Sequence, residues 1–94
     1  MQYNRGMIGL SREGKILRKA ERNPTAAMVL LMNEYHSSDL RYFPTENDRK
    51  EHKSKVEDEL KKLNRRLPSN LSGMMYVWMN NASLWREAVE NIHI

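Results

Sequence analysis

Seven apolar residues near the C-terminal end fall at Leu71, Met75, Trp78, Ala82, Trp85, Val89 and Ile92, spaced four, three, four, three, four and three. That is three heptads of one helical seam; a strand, with its period of two, cannot put these residues on one side. The phase runs unbroken across Asn80 and Asn81, so the spacing predicts one continuous helix over 70–92, with Ser69 as its cap after Pro68. A seam of about 34 Å needs other helices laid along it.

The rest of the chain supplies them. Asn23-Pro24-Thr25, the stretch 37–44 and Pro68-Ser69-Asn70 punctuate segments dominated by Leu, Met, Lys, Glu and Arg. Val and Ile are few and scattered, which favours helix over sheet. A first helix is expected over 12–22, capped by Ser11 and stopped ahead of Pro24. A second is expected over 24–36, capped by Asn23 or Thr25, with Pro24 at the position where no N–H is needed. Its residues 26–32 are apolar on every side, the mark of a helix covered on several faces. A third, over 45–66, opens on Thr45 with Asp48 three residues on, and its acids lead and its bases trail as the helix dipole prefers. Its seam is Val56, Leu60, Leu63 and Leu67; carried backward, the same seam meets Lys53 and Arg49. The C-terminal half of this helix is therefore expected to pack, and the half bearing Arg49 and Lys53 to project into solvent or onto a partner.

The fold class expected is all-α, a compact bundle of about four helices with a long C-terminal amphipathic helix, in one domain spanning 1–94. Leu30, Leu31, Leu63, Leu71, Met75 and Trp78 are its expected core.

Composition narrows the chemistry. The 94 residues contain no cysteine, which excludes disulfide scaffolds, thiolate zinc sites, iron–sulfur clusters and thiol nucleophiles. The longest apolar run is seven residues, far below the roughly 20 of a membrane helix, and the opening MQYNRGMIGLSREGK has no apolar leader core. These features predict a soluble, cytoplasmic protein without a membrane partner. His36, His52 and His93 do not pair at metal-ligand spacing, so neither metal nor cofactor is expected. His36-Ser37-Ser38-Asp39 holds the residue types of a hydrolytic triad, but neighbours in sequence seldom reach triad geometry, and a helix C-terminus explains them better. The acids at Glu57-Asp58-Glu59 and at Glu87 and Glu90 lie among Lys and Arg, where ion pairs one turn apart account for them. With only 4 glycines there is no phosphate-cradling loop. An enzyme is not expected.

Two surfaces carry the positive signals. The net charge is +4, and the first 22 residues alone hold that whole excess. Within them Arg12, Lys15, Lys19 and Arg22 recur at three, four and three, one helix face with Arg18 at its edge, while Ile16 and Ala20 fall opposite with Leu17 beyond them. Such a stripe suits phosphate contacts, or it keeps a small protein soluble. The helix–turn–helix spacing around Pro24 does not imply a DNA reader, because the second helix is apolar rather than polar. The other surface is the end of the long seam. Trp85, Val89 and Ile92 lie beyond the reach of the short second helix. They are covered by Leu40, Tyr42 and Phe43, or they form a strip for a partner or a second copy, rimmed by Arg86, Glu87 and Glu90. The favoured reading is a small non-enzymatic protein that binds another protein, as an inhibitor, adaptor or assembly factor. The alternative is a nucleic-acid-binding protein using the basic face of the first helix. A homodimer would serve either. Motif-free helical chains of this size are frequent among accessory proteins of phages and mobile elements.

Overall fold

Helix propensity decides the architecture, and capping decides where each helix begins and ends. The computed structural model describes residues 12–92; within it the side chains of residues 12–14, 17 and 19 are not described. Helix α1 spans Arg12–Arg22 and α2 spans Pro24–Ser37, with Asn23 alone between them. Pro24 forbids continuation of α1 and starts α2. Asn23 caps α2, its Oδ1 accepting from the Ala26 N–H at 3.0 Å. The Ser11 cap lies outside the described residues. A 3-10 turn, Ser38–Leu40, closes α2, and α3 follows over Glu46–Asn64. Thr45 Oγ1 caps it, accepting from the Asp48 N–H at 3.0 Å. The fold is all-α, with no strand among the described residues.

The expected long C-terminal helix is two. Helix α4 covers Ser69–Asn80 and α5 covers Ala82–Val89. Between them Asn81 is extended, at φ −145° and ψ 96°, and its Oδ1 accepts from the Leu84 N–H at 3.0 Å. A short amide side chain that can satisfy a free backbone N–H competes with helix continuation. Here it wins because the break is rewarded. Residues one heptad apart on a straight helix sit ~10.5 Å apart along the axis; the bend brings the Trp78 and Trp85 rings to 5.4 Å between centroids. At the start of α4, Pro68 rather than Ser69 is the cap residue, and its carbonyl takes the Leu71 and Ser72 N–H groups.

Helix α2 is central, packing on α1, α3 and α4. Its Ala27, Met28, Leu31 and Met32 meet Ile16 and Ala20 from α1, Val56, Leu60 and Leu63 from α3, and Met75, Trp78 and Trp85 from α4 and α5. Leu67, in the turn just past the end of α3, joins the core, and Leu71 packs at its edge. Leu30 does not join it: it is 41% exposed. With α1, α3 and α4 on its other sides, α2 keeps one uncovered strip, and Leu30 lies on it. The Asn64 and Ser72 side chains tie the end of α3 to α4, Ser72 Oγ donating to Asn64 Oδ1 at 2.7 Å and Asn64 Nδ2 to the Ser72 carbonyl at 3.0 Å. No helix among the described residues is long and apolar enough to cross a membrane.

Candidate functional site

The uncovered strip of α2 and the outer face of α1 form the walls of a groove of about 1180 Å³. From α1 it is lined by Lys15, Ile16, Arg18, Glu21 and Arg22, and from α2 by Leu30, Asn33, Glu34 and Ser37. The periodicities match. Lys15, Arg18 and Arg22 are spaced three and four, as are Leu30, Asn33 and Ser37, so each wall is two helical turns long, about 10 Å. The one-residue hinge at Asn23 closes one end.

Of the five expected stripe residues, Lys15, Arg18 and Arg22 are exposed and line this groove. The side chains of Arg12 and Lys19 lie outside the described residues. Among the described residues none of Lys15, Arg18 and Arg22 has an ion pair or a side-chain hydrogen bond. Their charge is opposed within the groove by Glu21, which is exposed, and by Glu34, which is paired with Arg41 and His52. At the far end of α1, the Arg66 guanidinium donates to the Glu21 carbonyl at 3.3 Å, and this contact sets the basic end of α3 beside Arg22. Asn33 is exposed and lines the groove. Indole Nε1–H of Trp85 can only donate, and it reaches Asn33 Oδ1 at 2.7 Å.

The residues expected at a partner interface sit elsewhere. Trp85 is only 1% exposed, stacked on Trp78 and bonded to Asn33. Val89 and Ile92 pack partly buried against the same core. The expected strip is therefore closed at its anchor, because the bend at Asn81 turns the end of the seam back onto α2. Neither is it covered by the connection, since Leu40 and Tyr42 are 89% and 87% exposed. Arg49 and Lys53 do not project freely. Arg49 donates through Nε to the Ser38 carbonyl at 3.1 Å and through a terminal nitrogen to the Arg41 carbonyl at 2.8 Å, and pairs with Glu46 at 2.6 Å. Lys53 pairs with Asp39 at 3.2 Å and lies 4.8 Å over the Tyr35 ring. These side chains strap the start of α3 to the 3-10 turn, polar contacts replacing the apolar seam there.

A second cluster was hidden in the sequence among apolar residues. Glu34 is 3% exposed and its carboxylate meets the Arg41 guanidinium and, at 2.7 Å, His52 Nε2. Phe43 covers the cluster, its ring 5.3 Å from that of His52 and under the guanidinium groups of Arg41 and Arg49 at 5.4 Å each. The signal was present: Ala27, Leu31, Glu34 and Ser38 follow the four, three, four spacing of a core seam, and all four are buried. A buried carboxylate held by two basic groups is compensated, so the cluster closes the α2–α3 corner. His36, Ser37 and Ser38 do not form a triad. His36 Nε2 is 2.8 Å from the Trp78 carbonyl and must donate to it, and the Ser37 and Ser38 hydroxyls donate to the Glu34 and Tyr35 carbonyls. They satisfy the last turn of α2. Among the described residues no three His, Asp or Glu side chains are grouped to hold a metal ion.

Compared with known proteins, the chain matches no family model, no curated protein and no solved structure.

Proposed function

We propose that this chain acts in the cytoplasm by binding another protein, as a non-enzymatic inhibitor, adaptor or assembly factor. The observation that carries the reading is the α1–α2 groove: a concave surface two turns long, with Leu30 exposed on one wall and three cations unpaired among the described residues on the other. Concave surfaces that pair an apolar anchor point with oriented polar groups are where proteins take ligands and partner segments.

One observation favours nucleic acid as a second reading. The Arg66 contact to the end of α1 joins Arg65 and Arg66, both exposed, to the stripe of Lys15, Arg18 and Arg22. A patch of this extent suits a polyanion, whose affinity would fall steeply with salt. Capture from a native lysate, with and without nuclease, separates the two. Protein binding predicts a discrete protein band that survives nuclease treatment. Loss of every captured species on nuclease treatment overturns it in favour of nucleic acid.

A further inference from the structure

The groove has a chemical signature more specific than "a protein", and the following rests on the protein-binding reading. We infer that its occupant is an acidic, amphipathic peptide segment of another protein, seated with carboxylates on Lys15, Arg18 and Arg22 and an apolar side chain on Leu30. Charge complementarity carries the choice. Among the described residues the three cations have no ion-pair or hydrogen-bond partner, and Glu34 is matched internally by Arg41 and His52, so the groove presents a net positive wall with Glu21 as its single exposed acid among the described residues. Carboxylates spaced three and four along a helix repeat the spacing of the cations.

Other occupants fit less well. The eleven residues that precede α1 contain Arg5 and no acid, so they do not complement this wall. Single-stranded nucleic acid is bound by stacking bases on aromatic rings, and no aromatic ring lines the groove among the described residues. An anionic membrane needs an apolar helix face beside the basic one, and Ile16 and Ala20, the apolar residues described on α1, are buried against α2.

The test is selection from a random 16-residue peptide library on the full-length protein, followed by affinity measurement on enriched peptides by fluorescence anisotropy. Enriched sequences should carry excess Asp and Glu with apolar residues at helical spacing. Lys15→Glu/Arg18→Glu/Arg22→Glu should weaken them by roughly tenfold or more, and Leu30→Asp should weaken them independently. All four positions are exposed, so circular dichroism should be unchanged; if the triple reversal fails to fold, Lys15→Gln/Arg18→Gln/Arg22→Gln gives the same readout. The inference is overturned by enrichment without an acidic excess, by no enrichment, or by peptides that bind the variants equally well. It is also overturned if duplex DNA binds wild type while no peptide does, or if sedimentation shows a wild-type dimer that the triple variant loses, which assigns the groove to a second copy. Nuclease-resistant protein capture that persists in the triple variant leaves the protein-binding reading standing and moves its surface elsewhere.

Discussion

Trp85→Ala separates a core residue from an interface anchor. The indole is 1% exposed, packs on Trp78 and donates to Asn33 at 2.7 Å. Truncating a fully buried Trp to Ala costs about 3–5 kcal/mol, the transfer free energy plus the cavity left behind. The hydrogen bond adds little of its own, because Asn33 is exposed and water can take its Oδ1. A domain of this size is stable by about 5–15 kcal/mol, and each kcal/mol moves its Tm by about 4–8 °C. Trp85→Ala should therefore lower the Tm by at least about 12 °C. Trp85→Phe keeps most of the apolar volume and should cost about 1–2 kcal/mol. The measurement is urea unfolding followed by far-UV circular dichroism, with partner capture measured on the same proteins at equal folded concentration. A cost below about 1 kcal/mol for Trp85→Ala, together with lost capture, would refute the packing argument and restore Trp85 as a surface anchor.

Three further outcomes are expected. Leu31→Ala should cost about 2–5 kcal/mol by urea melting, whereas Leu30→Ala, its exposed neighbour, should stay within about 0.5 kcal/mol of wild type. Asn81→Ala removes the α5 cap and should cost about 1 kcal/mol, with no change in denaturant slope. Glu34→Gln leaves Arg41 and His52 without their carboxylate and should cost about 1–3 kcal/mol; the same substitution at exposed Glu87 should register almost nothing in the same assay.

Local sequence was sufficient for the all-α class and for most helix boundaries. Pro24 cannot extend α1, Asn23 and Thr45 each bring a side-chain acceptor to a free N–H, and the α3 seam from Val56 to Leu67 can be buried only on one side. These are effects of one or two turns, so they can be read from neighbours in the chain. The groove was legible in part. The spacing of Lys15, Arg18 and Arg22 put them on one face, but it could not show that Leu30, Asn33 and Ser37 stand across from them.

Tertiary structure decided whatever depended on what else was near. A heptad phase is the same for a straight helix and for one that bends and folds back, so the seam through Asn80 and Asn81 did not reveal the break at Asn81. Burial of Trp85 against Trp78 and α2 made the bend favourable, and the same bend took the anchor of the expected partner strip into the core. Likewise Arg49 and Lys53 look like solvated charges one by one, yet the carbonyls of Ser38 and Arg41 and the carboxylate of Asp39 reach them only after the 3-10 turn has brought residues 38–41 back over α3. Leu30 and Leu31 are identical in composition and adjacent in sequence. One is core and the other groove because Leu31 faces the helices packed on α2 and Leu30 faces the strip they leave uncovered, which is set by how the whole chain packs.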